Sequence, residues 1–478
     1  MARGAYPGPM SGGTGSLRKG LTTAAGVLAA VVLLVLAGLL WSARPAQASP
    51  LVIVDRDLLE IVEDPLLPPA AGAPADPPAA GQRSADQRGL PELLGDLLPF
   101  LDPGPPPPPP GQPPPGPPPS PDPEPPDPDP APEPEPDEPR RGKQDLGRGS
   151  VGTVLDRART RRAISASERR AMGRTITRAR KTRSRLGGRR QRELSRVIAD
   201  VERLAARGRL TTGRLEVAFL QVKRNAEYWS NHRSAGNGQR IAFRGSPIIF
   251  QYFPGQGLQF HPLANFGKAN ALYNQCVSGD GPCRRNGLRT YLDELAALGS
   301  TRGGGFLTWE YFFRFGGGSP PWTSGMSQGT ALQAFSRSAR LLDEPRYARY
   351  ARAMLGAFSE RPGNGVRVDS SGGRHFLLYS FDPGLRVLNG HLQSIIGLRD
   401  QWQASGSARA RDLYQAGSRS ALRELRRYDL GNWSRYAQGG GRAPREYHQL
   451  VTVFLERLCQ RTENRTYCTY AKRFRGYL

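Results

Sequence analysis

Two tyrosines, Tyr436 and Tyr447, bracket a glycine- and arginine-rich stretch near the end of the chain, "RYAQGGGRAPREY" (435–447). A phenol with an unperturbed pKa near 10 is a poor base at neutral pH. Neighbouring cations favour the phenolate, and Arg435, Arg442 and Arg445 lie in the same stretch. A flexible, exposed loop edged by two tyrosines can bring a proton-transferring group to a pocket from each border. Packing is the plainer role for either ring taken alone.

Other chemistries have less to stand on. The five histidines, His232, His261, His375, His391 and His448, show no metal-ligand spacing, so no metal is expected. A GxSxG nucleophile elbow is absent. "PGQG" (254–257) is a tight turn rather than a phosphate-binding loop. Glu310, Asp382, Asp429 and Glu446 are carboxylates of the kind that glycoside hydrolysis uses in pairs, but no local pattern singles out two of them.

The elements that would position such groups are helical. Beyond Pro254, helix-period segments alternate with short Gly/Pro loops: 262–273, 287–298, 327–342, 346–358, 390–403, 408–428 and 445–457. Without regular strand–helix alternation, a parallel sheet is not expected, and helices joined by short loops pack as antiparallel hairpins. Aromatic residues gather in the connections, in "LTWEYFFRF", "PPWTSG", "RHFLLYSF" and "GNWSRY". If the hairpins close into a ring, these loops line a cleft whose aromatic faces suit sugar rings. Upstream, "RIAFRGSPIIFQYF" (240–253) reads as a short β-hairpin around Gly245 and "RLEVAFLQVKRNAEYW" (214–229) as a helix. Residues 140–210 are dense in arginine and predict two basic helices, one with Leu194, Val197, Ile198, Val201 and Leu204 on a single face. They are either a solvated hairpin or a clamp on an anionic polymer.

Composition bounds the setting. Among 478 residues, 45 prolines and 57 glycines are too many for one uniform core. A formal net charge of +25 favours a polyanionic partner. Arg18 and Lys19 precede an uncharged run from Leu21 to Trp41, followed by Ala46-Gln47-Ala48, a signal-peptide pattern; the run is long enough that a retained membrane anchor is the alternative. Either way the remainder is expected outside the cytoplasm, which disfavours nucleic acid as the polyanion. Cys276 with Cys283, and Cys459 with Cys468, enclose six and eight residues, and in an exported chain they read as two disulfides. The expected organisation is a signal or anchor (1–48), a disordered Pro-rich linker (49–139), a basic helical region (140–235) and a catalytic domain (236–478). The proline run in the linker would be a stiff spacer of about 100 Å.

"RVLNGHLQSIIGLRD" (386–400), "RRYDLGNWSRY" (426–436), "REYHQL" (445–450) and "PPWTSGMSQGTAL" (320–332) resemble, in the same order, the C-terminal domain of D-glucuronyl C5-epimerases. "FPGQGLQFHPLANFGKANAL" (253–272) is a weaker match. The resemblance covers roughly the last half of the chain and implies a mainly α fold, an (α/α) toroid of antiparallel helical hairpins. It implies inversion at C5 of glucuronate, to iduronate, within an acidic polysaccharide, with no cofactor. It places the catalytic tyrosines at Tyr436 and Tyr447. Asn389, Arg386, Trp322, Gln328, Tyr379, His448 and Arg435 are the expected substrate-binding residues, with Arg386 as a carboxylate clamp; Asn389 has helix capping as its alternative, and His448 a helix-start hydrogen bond. Tyr428, opening the Tyr-Asp-x-Gly turn, reads as structural.

The chain departs from the family in the acids before the Leu-Asn-Gly motif, in an upstream tyrosine not clearly matched near "GLQFHP" (257–262), and in lacking the preceding β-rich domain apart from the short hairpin. Leu377 and Leu378 in "HFLLYSF" stand where the family carries acids, although Tyr379 is kept. That leaves two rival readings: a polysaccharide lyase, which shares the C5 proton abstraction, and a non-catalytic glycan-binding or cell-envelope protein. The oligomeric state, monomer or homodimer, stays open.

Overall fold

The computed structural model describes residues 145–278, 282–370 and 372–478, and the backbone of 51–54 and 59–62. The expected signal or anchor (1–48) and the proline run lie outside the described residues. Among those described, no helix is long and apolar enough to cross a membrane.

The basic region is four helices rather than the expected two basic helices and a third: α1 (Val151–Thr160), α2 (Ala166–Arg185), α3 (Gly188–Ala206) and α4 (Thr212–Asn231). Arg162 adopts a left-handed backbone (φ 57°) and breaks the arginine-rich run. Ser165 then starts α2 through a reciprocal capping box with Glu168. In α3 the predicted face of Leu194, Val197, Ile198, Val201 and Leu204 is buried. These helices share one hydrophobic core with everything that follows. Two buried polar anchors seal the join. The Glu193 carboxylate accepts from the amides of Gly255 and Gly257 and from the Tyr252 hydroxyl. The Asn225 side chain pairs with the amide and carbonyl of Leu258.

The expected hairpin is β3 (Arg240–Phe243) and β4 (Ser246–Phe253), turned at Gly245 (φ 79°), and β5 (Gly257–Phe260) extends it. Strands β1 (Leu51–Val54) and β2 (Leu59–Val62), from the span read as linker, complete the sheet in the order β2-β1-β3-β4-β5.

The rest is helical hairpins, as expected: α5 (Pro262–Val277), α6 (Arg285–Ala297), α7 (Gly325–Leu342), α8 (Pro345–Met354), the short α9 (Gly356–Ser359), α10 (Leu388–Ser405), α11 (Ala408–Glu424), α12 (Arg445–Thr462) and α13 (Arg465–Arg475). Two-stranded ribbons lie between them, β6 (Ser300–Thr301) with β7 (Leu307–Thr308) and β8 (Arg367–Ser370) with β9 (Gly373–Phe376). Helices α7 and α10 form the most extensive contact. They approach so closely because Gly329 faces Gly397: a Cβ on Gly397 would stand 2.2 Å from the Gly329 carbonyl oxygen. Further along, the same interface is polar, with Gln333 donating to Asp400 and Ser336 to Gln401. This rigid pair carries the start of α10, where the motif residues converge.

Candidate active site

Helix α10 begins after Val387, whose side chain caps nothing. The amides of Leu388 and Asn389 instead donate to the Tyr447 hydroxyl, each at 3.1 Å. A phenol from another helix thus satisfies donors that every helix start leaves open. The Tyr447 hydroxyl passes its own proton to the main-chain carbonyl of Tyr436 at 2.8 Å. The two rings meet edge to face, 4.9 Å between centroids.

This changes the expected picture of the loop. The tyrosines do not approach a pocket from opposite borders; they are buried neighbours on one side. The loop between them is knit by Tyr436 N–H to Gly441 and Ala443 N–H to Ser434, and Arg435 pairs with Arg442 as a β-bridge. The arginines do not face the phenols as expected either. Arg435 donates to the Gly440 carbonyl, and Arg442 stacks 4.4 Å from the Trp433 ring. Burial, reinforced by Tyr379 and Tyr447, pushes the Tyr436 phenol well above its usual range. Burial also raises Tyr447, against the two amides that favour its phenolate. Both therefore hold their protons at neutral pH. The Tyr436 hydroxyl is bonded to no backbone group, and the phenol that interacts with it is Tyr379.

Tyr379 sits among Phe315, Trp322 and Phe381, with ring centroids 5.4, 5.8 and 5.4 Å away. Trp322 stacks on Tyr311 at 4.1 Å and donates its indole N–H to Phe313. The remaining expected binding residues are placed differently. Both ends of the Gln328 amide are taken by the backbone of Trp309. His448 uses Nδ1 for Ser434 and Nε2 for the Phe474 carbonyl, and stacks on Trp433. Asn389 is fully buried; its Oδ1 accepts from Gly390 N–H, and its Nδ2 has no partner among the described residues. The Arg386 guanidinium leans on the Pro383 carbonyl, while its own carbonyl receives the Tyr428 hydroxyl, which supports the structural reading of Tyr428. Leu377 and Leu378 are buried core residues.

Charge is concentrated elsewhere. Glu310 is buried between Arg214, which grips it at 2.6 and 2.9 Å, and Arg302 at 3.2 Å. Burial alone would raise this carboxyl; the two guanidiniums outweigh it and hold it below the usual range. A cavity of about 550 Å³ opens beside them, lined by Arg209, Thr211, Arg214, Arg302, Trp322 and Phe381 among others. None of the three arginines was singled out by local spacing. Arg214 and Glu310 are 96 positions apart, and among 67 lysines and arginines nothing local marks them.

One cluster among the described residues has the composition of a metal site: His375, His391 and Glu424, fully buried, with potential ligand atoms within 4.8 Å of one another. The Glu424 carboxylate already accepts from His375, Ser370, Ser420 and Gln438. With its lone pairs so occupied, it acts as a hydrogen-bond hub tying β8, β9 and α11 to the segment that carries Tyr436.

The D-glucuronyl C5-epimerase C-terminus family pattern matches residues 303–476. The match covers just over a third of the chain, which is similar to that family over this stretch. The matched stretch contains Trp322, Tyr379, Asn389, Tyr436 and Tyr447, while Arg209, Arg214 and Arg302 lie outside it. Among curated relatives, a D-glucuronyl C5-epimerase of Caenorhabditis elegans is 28% identical over 178 residues, covering 33% of this chain and 29% of that protein. An uncharacterised protein of Methanocaldococcus jannaschii is 27% identical over 177 residues, covering 36% of this chain and 58% of its own. The matched stretch is thus under a third of the length of the first and little more than half of the second. Among solved structures, a cellobiose 2-epimerase from Bacillus thermoamylovorans aligns over 60% of this chain and 74% of its own, with TM-score 0.37 and 10% identity.

All four cysteines are paired, Cys276 with Cys283 and Cys459 with Cys468, as expected and as an oxidising compartment allows.

Proposed function

We propose that this chain is an extracytoplasmic uronate C5-epimerase, inverting C5 of glucuronate residues within an acidic polysaccharide. The observation that carries the reading is the family match over residues 303–476, with Tyr436 packed on Tyr447 and interacting with Tyr379 inside it. The net charge of +25 and the two disulfides favour an anionic polymer and export.

The carbon acid lies α to a carboxylate. Removing its proton leaves the electron pair delocalised into that carboxylate, which must be held by cationic or hydrogen-bonding groups. A proton delivered to the opposite face completes inversion. Tyr436 is the group on one face: its phenol keeps its proton and its hydroxyl is not committed to the backbone. The partner for the other face comes from Tyr379 and Tyr447. The two amide donors on Tyr447 ease its ionisation against the burial that holds its proton, and Tyr379 faces the aromatic wall of the cavity.

The test is incubation with a panel of uronans in D₂O, followed by NMR. Deuterium at C5 together with the inverted isomer supports the proposal. An ultraviolet-absorbing unsaturated product would make the chain a lyase. Binding without C5 exchange would make it a glycan-binding protein.

A further inference from the structure

We propose that the cavity at the start of α4 is a carboxylate-binding sugar subsite, built jointly by the basic helices and the stretch that matches the epimerase family. It rests on the polysaccharide reading above and adds to it a place and a set of residues. Three independent features meet there.

The first is an unsatisfied buried cation. Arg302 is 7% exposed. Its Nε faces Glu310 and its Nη2 donates to the Gly363 carbonyl at 2.8 Å, yet Nη1 is buried with no partner among the described residues. A buried donor left open is costly unless something accepts from it.

The second is an open helix start. Helix α4 runs for 20 residues, and its N-cap, Thr211, makes no side-chain capping bond. The Thr211 hydroxyl is 5% exposed and likewise without a partner among the described residues. The amides of a helix start and its dipole favour an anion. Arg214, on the first turn of this helix, and Arg209, just before it, line the same space.

The third is the wall. Trp322 and Phe381 line the same cavity as the arginines, and Phe381 is only partly buried. Aromatic faces accept the C–H faces of a sugar, while the arginine side takes its charge. Of the charged groups, Arg209, Arg214 and Arg302 stand against Glu310 and Asp145, three positive against two negative. A net charge of one suits a monoanionic carboxylate. The volume of about 550 Å³ falls within the ~300–1,000 Å³ of small-ligand sites.

The position relative to the tyrosines fits a substrate path. Ser380 lines the cavity and is the residue after Tyr379, and Trp322 touches both the cavity and the Tyr379 ring. The subsite therefore lies one aromatic layer from the phenols. It also gives the arginine-rich helices a defined part: they supply half of a binding wall.

The experiment is calorimetric titration of the full chain with a glucuronate-containing oligosaccharide and with the same oligosaccharide after reduction of its carboxyls to alcohols. The native chain should bind the carboxylated form more tightly. Arg209→Ala and Thr211→Val, neither of which breaks the Glu310 ion pairs, should each weaken that binding about tenfold and leave binding of the reduced form unchanged. Arg302→Lys, which loses the free Nη1, should weaken it at least as much. Equal binding of the two sugars, no binding of either, or unaltered binding in all three variants overturns the subsite. The two proposals fail separately. Carboxylate-dependent binding that these variants weaken, in a chain that exchanges no C5 proton, keeps the subsite and removes the epimerase reading; C5 exchange with binding indifferent to the variants does the reverse.

Discussion

The Tyr447 hydroxyl donates to the carbonyl of Tyr436 at 2.8 Å while accepting from two amides of α10, so one phenol holds both the backbone of its neighbour and the start of the helix carrying Asn389. The Tyr436 hydroxyl has no such backbone duty. Two tyrosines of one motif thus have unequal roles, and substitutions that each remove one oxygen should separate them.

Tyr436→Phe should lower C5 exchange by about 10²–10⁴-fold, the usual contribution of a general acid or base, and leave the melting temperature nearly unchanged. Full exchange in this variant, read by NMR in D₂O, would move the proton transfer to Tyr379.

Tyr447→Phe should behave differently. It strands two buried amides and one carbonyl, and an unsatisfied buried group costs about 1–3 kcal/mol. Urea denaturation should show a loss of at least that size, alongside any loss of turnover. A variant as stable as the native chain would mean that the helix start finds another acceptor.

Glu310→Gln should be among the most destabilising single changes on the chain. It leaves Arg214 and Arg302 facing each other in a buried site, and removing one partner of a buried ion pair costs about 3–5 kcal/mol. Equilibrium denaturation measures this directly, and a cost below 1 kcal/mol would show that water reaches the guanidiniums.

Gly397→Ala tests the α7–α10 contact. The added methyl meets the Gly329 carbonyl at 2.2 Å, so backbone must move, and overpacking of this kind costs about 1–3 kcal/mol. Glycan binding should weaken with it, because α10 carries the site; unchanged melting would mean that the helices separate freely.

Acid should destabilise the chain from just below neutrality. Burial lowers His261, to about 3, and lowers His375 and His391, the first of these two against its bond to Glu424. Each ring is neutral when folded but takes up a proton near pH 6.5 when unfolded. The stability this represents is complete above about pH 6.5 and is lost as pH falls below it. For His261 that is ~2 kcal/mol between pH 6.5 and 5. A urea midpoint that stays level from pH 7 to 5 would mean the rings are not held neutral.

Periodicity made most helices legible, because a buried stripe every 3.6 residues is a local property. The face from Leu194 to Leu204 shows it. Helix α13 went unpredicted although Tyr467, Ala471 and Phe474 are buried at helical spacing. Those three residues are interleaved with polar and basic ones, and the helix gains its stability by packing against α12, to which Cys468 is bonded. Ordered motifs likewise exposed the family, since short runs around Trp322, Asn389, Tyr436 and Tyr447 survive intact in one dimension.

Tertiary structure alone decided what those residues do. The arginines beside Tyr436 in sequence turn to a carbonyl and an indole, so burial rather than neighbouring charge sets its phenol. Arg214, Arg302 and Glu310 become one site only when α4 packs beside the segment after β7. Helix period follows from each residue's own side chain, whereas desolvation and ion pairing depend on which distant surfaces share the same dry space.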